Sequence, residues 1–193
     1  ILASKSGVRK KILNDFKIDC QVIASQVDED EVKQSLLAEG ADPLIISKNL
    51  AEIKSIKVSS KNPDRLVIGA DSVISLQDQL INKPRSRDEA FSILKKLNNS
   101  VHYLISSVCI SKNGAMIWNH SDTSELKMKN LTEEQLKDYL GEIDTNTLLA
   151  YGVYQIEAEG MNLFEYIKGD HNSIMGLPIK SIINYIKQFK NND

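Results

Sequence analysis

The fold of this chain is decided by one stretch of sequence, Leu66-Val67-Ile68-Gly69-Ala70-Asp71-Ser72-Val73-Ile74. Its β-branched and aliphatic residues predict a buried strand. Gly69 and Ala70 thin the strand at its middle, which lets a ligand approach the backbone closely. Asp71 is unusual there, because an isolated buried carboxylate loses its hydration without compensation. Asp71 is therefore either a structural cap at the end of an element or a functional acid.

The bulk composition predicts a single soluble globular domain over residues 1–193. Hydrophobic residues make up 41% of the chain and charged residues 26%, with a net charge of −2, as is usual for globular domains. The near-neutral charge argues against a broad face for long nucleic acid. No apolar run reaches the ~18 residues of a membrane span, and no signal peptide is visible.

The cysteines and histidines give no sign of a metal site. Cys20 and Cys109 lie far apart without C-x-x-C spacing, which predicts free thiols in a reducing, cytoplasmic compartment. The histidines, His102, His120 and His171, show no ligand spacing and are interpreted as surface or loop residues. Trp118 and Tyr151 are expected in the core rather than as platforms for a base.

The beginning of the chain has the composition of an anion-binding turn. Ile1-Leu2-Ala3 predicts the end of a strand, and the helical spacing of Ile12, Leu13 and Phe16 follows Ser4-Lys5-Ser6-Gly7-Val8-Arg9-Lys10-Lys11. Strand, basic Ser/Gly turn and helix start form a geometry that binds phosphate through free N–H groups, hydroxyls and cations. The alternative is an ordinary capped basic helix. A Walker A loop is absent.

Three further segments contain charged residues that indicate a helix start or a functional side chain. A short strand predicted over residues 19–24 leads into Asp28-Glu29-Asp30-Glu31, which is either a solvated helix start or the source of a metal-binding or water-positioning carboxylate, Glu29. Asp42-Pro43 predicts the start of a helix that continues to about Val58. Lys83 precedes Pro84, which holds it in extended geometry and directs it at a fixed target.

The remaining pattern predicts alternating helices and hairpins. The expected elements are a turn at residues 77–79, a helix over 87–98, a hairpin of strands 102–111 and 115–118 around Asn113-Gly114, a strand over 124–129, a helix opening at Thr132 with a capping box, a strand over 162–167 and a closing helix over 179–189. Such an order predicts an α/β or α+β protein with a mixed sheet.

Several short blocks together resemble the Maf proteins, which are named for inhibition of septum formation. Residues 2–10, Leu2-Ala3-Ser4-Lys5-Ser6-Gly7-Val8-Arg9-Lys10, resemble the family's L-A-S-x-S-P-x-R-R opening, and Gly69-Ala70-Asp71-Ser72-Val73 matches G-A-D-[TS]-V. The other matching blocks are Val27-Asp28-Glu29, Lys83-Pro84, Gly152-x-Tyr154-x-Ile156-Glu157 and Gly176-Leu177-Pro178. Each block is weak alone, but their order from residue 2 to residue 178 is specific.

The resemblance implies an α/β fold shared with inosine triphosphate pyrophosphatases, in which a long mixed sheet forms two lobes around a nucleotide cleft. It implies one domain over residues 1–193, hydrolysis of a nucleoside triphosphate to a monophosphate and pyrophosphate, and often a homodimer. Asp71 and Glu29 would hold Mg²⁺ or Mn²⁺ and orient the attacking water, with Asp71 as proton acceptor. The cationic and hydroxyl residues expected around the phosphates are Lys54, Lys83, Ser4, Ser6, Arg9 and Lys10.

Departures from the family's commoner pattern bear on the base. Val8, Ser72 and Glu157 replace an Arg, a Thr and a Gln of the branch that resembles dTTP/UTP pyrophosphatases, and Ala150 replaces a lysine. A carboxylate at Glu157 can accept both donors of a guanine edge, whereas an amide suits uracil or thymine better. The sequence therefore favours an N7-methyl-GTP type of substrate over dTTP or UTP. Val8 nevertheless lacks the aromatic ring expected for stacking on a cationic base.

A third function class is a nucleotide-binding regulator of cell division without catalysis. Such a sensor needs neither a base nor a metal site. The paired acids and the lysines therefore favour an enzyme.

Overall fold

The computed structural model describes residues 1–156 and 159–191. Five strands form one sheet in the order β2-β1-β3-β4-β5, and every neighbouring pair of these strands is antiparallel. The strands are β1 Val67–Leu76, β2 Gln79–Ile81, β3 Val101–Lys112, β4 Ala115–Met128 and β5 Phe164–Lys168. The helices are α1 Gly7–Asp15, α2 Glu29–Ala38, α3 Pro43–Ser59, α4 Arg87–Leu97, α5 Glu133–Glu142, α6 Thr145–Tyr151, a 3₁₀ helix Glu159–Leu163, α7 His171–Ile174 and α8 Ile179–Asn191.

The α/β prediction is confirmed, although parallel pairing is confined to single bridges. Leu2 bridges both Val22 and Ile68 in parallel, so the strands expected at residues 1–3 and 19–24 are reduced to isolated bridges at Leu2 and Val22. Helix α1 begins at Gly7, with Ser6 as its N-cap. The bridges still place the basic turn beside β1.

Local signals predicted several element boundaries correctly, but the strands expected over 115–118 and 124–129 form one continuous strand, β4. Asp42 caps α3, whose first residue is Pro43, and Thr132 forms a complete capping box at α5. The β3–β4 hairpin turns at Asn113 and Gly114, both with positive φ, as two-residue hairpins require.

Helix α3 packs directly on the middle of β1 because residue 69 is glycine. A Cβ atom at Gly69 would lie 2.2 Å from the carbonyl oxygen of Ala51 and 2.7 Å from the amide nitrogen of Ser55. No side chain fits at these distances, so only glycine lets the helix backbone approach this closely. The contact brings the buried face of α3, including Lys54, against Asp71.

The apolar residues form two large clusters that correspond to the two lobes. One is centred on Leu94, Leu126 and Leu136, among α4, α5, α6 and the sheet. The other is centred on Leu13, Ile110 and Ile182. The predicted two-lobed architecture is thus present, and Trp118 packs against the second cluster as expected. Within residues 1–156 and 159–191, no helix has the length and apolar character needed to cross a membrane.

Two aromatic predictions are wrong. His102 is fully buried rather than at the surface, and its Nε2 lies 2.9 Å from the Tyr154 hydroxyl oxygen. Burial lowers the pKa of His102 to about 4, so the ring is neutral and acts as a core residue. Tyr151, expected in the core, is 55% exposed because α6 ends there. Pattern alone could not predict either position, since both depend on which lobe covers the residue.

Candidate active site

A cleft of about 560 Å³ lies between the two lobes. Its lining includes Leu104, Tyr154 and Ile174 from the first apolar cluster, and Val8 and Met175, which pack against the second. Strand β1 contributes Asp71 and its neighbours, and the segment from Ala150 to Ile156 forms part of the wall. The two lobes therefore enclose the acid that the sequence singled out.

Asp71, Lys54 and Glu29 form a short chain of charges at the floor of this cleft. Lys54 Nζ lies 2.7 Å from Asp71 Oδ1 and 2.7 Å from Glu29 Oε1. Asp71 and Lys54 are each 5% exposed, whereas the Glu29 side chain is 41% exposed. Burial would raise the pKa of Glu29, but the attraction and hydrogen bond of Lys54 outweigh burial, and that pKa is lowered. The lysine thus stabilises the ionised form of Glu29.

One oxygen of Asp71 has no partner. Oδ1 accepts the Lys54 hydrogen bond, but the buried Oδ2 makes no hydrogen bond within the described part of the chain. Buried polar atoms are rarely left unpaired, because each loses its hydration without compensation. A purely structural acid would be satisfied on both oxygens, so the geometry favours the functional interpretation of Asp71.

Arg9, on α1, forms hydrogen bonds with β1 and with the turn at Gly176. Its Nε donates to the carbonyl oxygen of Gly176 at 2.9 Å, Nη1 to that of Ala70 at 3.0 Å, and Nη2 to Ser72 Oγ at 3.2 Å. Burial lowers the pKa of this guanidinium, while the negative charges of Asp71 and Glu29 oppose that shift. Arg9 therefore positions α1, β1 and the turn at Gly176 and also lines the cleft.

The hydroxyls of the N-terminal turn hold that turn in place. Ser6 caps α1 by accepting a hydrogen bond from the backbone N–H of Arg9 at 3.3 Å. Ser4 Oγ accepts from the N–H of Ser6 at 3.2 Å and from Arg9 Nη1 at 3.3 Å. Both serines line the cleft; Ser6 also caps α1, and Ser4 holds the turn that precedes the cap.

Lys10 does not reach the cleft, contrary to the sequence prediction. Consecutive helical residues are rotated by about 100°, so the inward position of Arg9 leaves Lys10 exposed on the outer face of α1. Lys10 is absent from the described cleft lining. Its place next to Arg9 in the sequence therefore gives it no position beside a phosphate.

Lys83 spans from one wall of the cleft to the other. Its Nζ donates to the carbonyl oxygen of Ala150 at 2.7 Å. Burial against the walls lowers the pKa of this ammonium, and the attraction of Glu29 only partly offsets the effect. Lys83, which precedes Pro84, thus lines the cleft.

With this geometry established, comparison with known proteins identifies the family. A family model described as "Maf-like protein" matches residues 1–189. This chain belongs to the Maf family. It is 56% identical over 190 residues to a nucleoside triphosphate pyrophosphatase of Pelagibacter ubique, covering 98% of this chain and 97% of that protein. A 7-methyl-GTP pyrophosphatase of Brucella abortus is 34% identical over 98% of this chain and 96% of its own length.

The remaining predicted residues of this Maf protein fall into two groups. Val8 and Ser72 line the cleft, and Ser72 Oγ is held by Arg9 and by Ser106 Oγ at 2.9 Å. Glu157, the predicted specificity residue, lies outside the described residues.

Sequence reasoning missed three cleft residues, Lys5, Lys33 and Gln155. Lys33 lies four residues after Glu29 on α2. Because residues at i and i+4 share one face of a helix, this spacing could have found Lys33. Lys5 sits inside the matched opening block at a variable position, and Gln155 likewise occupies a variable position.

The donor set of this Maf protein fits a divalent metal shared with substrate. No group of three or more His, Cys, Asp and Glu residues is arranged for a metal anywhere in residues 1–156 and 159–191. Mg²⁺, however, is commonly held by one or two carboxylates plus substrate phosphates and water. Asp71 Oδ2 and the exposed carboxylate of Glu29 are such donors. The residues therefore fit an ion that arrives with the nucleotide.

Proposed function

We propose that this protein hydrolyses the anhydride between the α- and β-phosphates of a nucleoside triphosphate, with Mg²⁺ or Mn²⁺, and that its substrate is of the N7-methyl-GTP type. One observation carries the proposal: a buried carboxylate, held by Lys54, keeps an unpaired oxygen at the floor of a basic cleft. The relatives named above as pyrophosphatases support the reaction.

The charges of the cleft suit a triphosphate. Its described lining holds two carboxylates and five cationic side chains, which are Lys5, Arg9, Lys33, Lys54 and Lys83. A triphosphate carries about four negative charges, and charge-assisted hydrogen bonds from preorganised cations stabilise both the substrate and the charge that develops on the leaving group. A neutral substrate would leave Lys5 and Lys33, which make no hydrogen bond or ion pair in the described part of the chain, without an anionic partner.

The residues divide the reaction as follows. The Asp71 carboxylate accepts a proton from water, the water oxygen forms a bond to the α-phosphorus, and the bond from that phosphorus to the α–β bridging oxygen breaks to release pyrophosphate. Lys54 fixes the orientation of the Asp71 carboxylate through Oδ1. A bound divalent ion supplies charge neutralisation at the phosphoryl oxygens. Lys83 and Arg9 lie along the same cleft and stabilise the charge of the departing group.

Two observations favour a methylated purine. Two relatives named 7-methyl-GTP pyrophosphatase are 34% and 35% identical to this chain over 98% of its length. Tyr151 is 55% exposed and lines the cleft. Its ring offers a face for cation–π stacking on a positively charged base. Tyr151 can therefore supply the aromatic ring that is missing at position 8, which is Val8. A dTTP- or UTP-specific enzyme would gain less from this ring.

Pyrophosphate release from a panel of nucleotides tests both the proposed reaction and the proposed type of substrate. The panel contains N7-methyl-GTP, GTP, dTTP and UTP, each with Mg²⁺ and with Mn²⁺. We expect hydrolysis with the highest kcat/KM for N7-methyl-GTP. A higher kcat/KM for dTTP or UTP would contradict the purine assignment alone, and no release from any nucleotide would contradict the enzymatic function.

A further inference from the structure

We propose that Lys33 binds pyrophosphate in a side pocket that continues from the cleft, and that this pocket receives the leaving group of the reaction; this inference rests on the proposed function. The side pocket is a cavity of about 280 Å³. It shares Glu29, Lys33, Asn82 and Lys83 with the cleft. Its remaining lining residues are Asp30, Gln34, Leu37, Pro84, Arg85 and Leu149.

Lys33 is a cation that the fold leaves unused. It lies on α2, half-buried and one helical turn after Glu29. A Glu–Lys pair at this spacing normally forms an ion pair on the helix surface. Here Glu29 Oε1 is occupied by Lys54 at 2.7 Å, and Lys33 makes no hydrogen bond or ion pair within residues 1–156 and 159–191. Its ammonium group is therefore available to an anion.

The position of Lys33 suits the terminal phosphates rather than the nucleoside. The side pocket lacks Asp71, Lys54 and Arg9 among its described lining, so it lies away from the reacting acid. Lys33 and Lys83 border both cavities, and Arg85 lines only the side pocket. These three cations face two acids there, of which Glu29 is already paired. Pyrophosphate that leaves the cleft past Lys83 would therefore contact Lys33 and Arg85, which are separate from the cations beside Asp71.

Binding of inorganic pyrophosphate measured by calorimetry in the presence of Mg²⁺ tests this proposal without turnover. We expect Lys33→Ala to raise the Kd for pyrophosphate about 10-fold, since a charge-assisted hydrogen bond is lost. The Kd for a nucleoside monophosphate should change less than about 2-fold by the same reasoning. Lys33→Arg keeps the charge and should remain close to the native affinity. Lys48→Ala on the exposed surface of α3 is the matched control, because Lys48 lines neither cavity.

Each outcome decides the proposal. An unchanged Kd for pyrophosphate in Lys33→Ala, or no pyrophosphate binding by the native protein, overturns it. Equal weakening of pyrophosphate and monophosphate also overturns it, because Lys33 would then act only through the general field of the cleft. Failure of the nucleotide panel would remove the proposed function, whereas the pyrophosphate titration would still decide whether Lys33 binds this anion.

Discussion

The cleft has an acid side, which holds Asp71, and a base side, where we propose that the nucleobase binds. The two sides are built in different ways. The acid side is made of regular elements, since Asp71 lies in a central strand, Lys54 on a 17-residue helix and Arg9 on a capped helix. The other side is formed by residues 150–156, where α6 ends, and by the turn at Gly176. Asp71, Lys54 and Arg9 are thus fixed by strand and helix packing, whereas the residues that we propose contact the base lie at the end of α6 and on connections that can change without disturbing the sheet.

The largest effect on stability is expected from Lys54→Met on the acid side. This substitution leaves the buried Asp71 carboxylate without its cation, and breaking a buried pair costs about 3–5 kcal/mol. The free energy of unfolding from urea denaturation measures the loss. Lys95→Met is the control, because Lys95 pairs with Glu133 at the surface and such pairs contribute little.

A double variant sharpens the interpretation. Adding Asp71→Asn to Lys54→Met removes the unpaired charge, so we expect much of the lost stability to return. If the double variant is as unstable as Lys54→Met alone, packing of the lysine stem rather than the charge pair explains the loss.

Gly69→Ala is expected to have the next largest effect. Its Cβ would lie 2.2 Å from the carbonyl oxygen of Ala51, so α3 must move away from β1, and overpacking of this kind costs about 1–3 kcal/mol. The same shift separates Lys54 from Asp71, and kcat should fall as well. The midpoint of thermal unfolding and kcat are measured on the same variant.

Gly7→Ala provides the comparison for this variant. A Cβ at Gly7 meets no heavy atom within 4 Å, so its stability should change by less than about 0.5 kcal/mol. Equal destabilisation by the two substitutions would contradict the close approach of α3 to β1.

The smallest effect is expected on the base side, from Tyr151→Leu. Loss of a cation–π contact at an exposed site is worth about 0.5–1 kcal/mol, which raises KM for N7-methyl-GTP about 2- to 5-fold. The KM for GTP should change less, because its base is not cationic. Tyr151→Phe keeps the ring and should resemble the native protein. An unchanged KM in Tyr151→Leu would remove Tyr151 from base recognition.

The same contrast explains what the sequence could predict. Asp71 and the caps at Asp42 and Thr132 are readable because each breaks or punctuates a local pattern. Gly69 was expected to admit a ligand, but it admits the backbone of α3 instead. Lys10 was misassigned because proximity in sequence says nothing about the face of the helix.

Other features needed the assembled lobes. His102 is buried and Tyr151 exposed only because of which segments cover them. The segments around Leu2 and Val22 were expected as strands but are held by single bridges. Lys33 carried no motif, and its role as an unpaired cation depends on Glu29 being engaged by Lys54. Tertiary context decided each of these features, which is why local patterns failed there.

The central claim is that Asp71 is retained in the core for catalysis and not for stability, and Asp71→Asn tests it most directly. We predict that kcat for pyrophosphate release falls by roughly 10²–10⁴-fold, while the protein stays folded and loses less free energy of unfolding than Lys54→Met, because the amide is isosteric with the carboxylate, its oxygen can still accept from Lys54, and Lys54 keeps Glu29. Asp15→Asn, at an exposed pair with Lys11, serves as the control. Retained activity, or loss of activity accompanied by unfolding, would contradict the account.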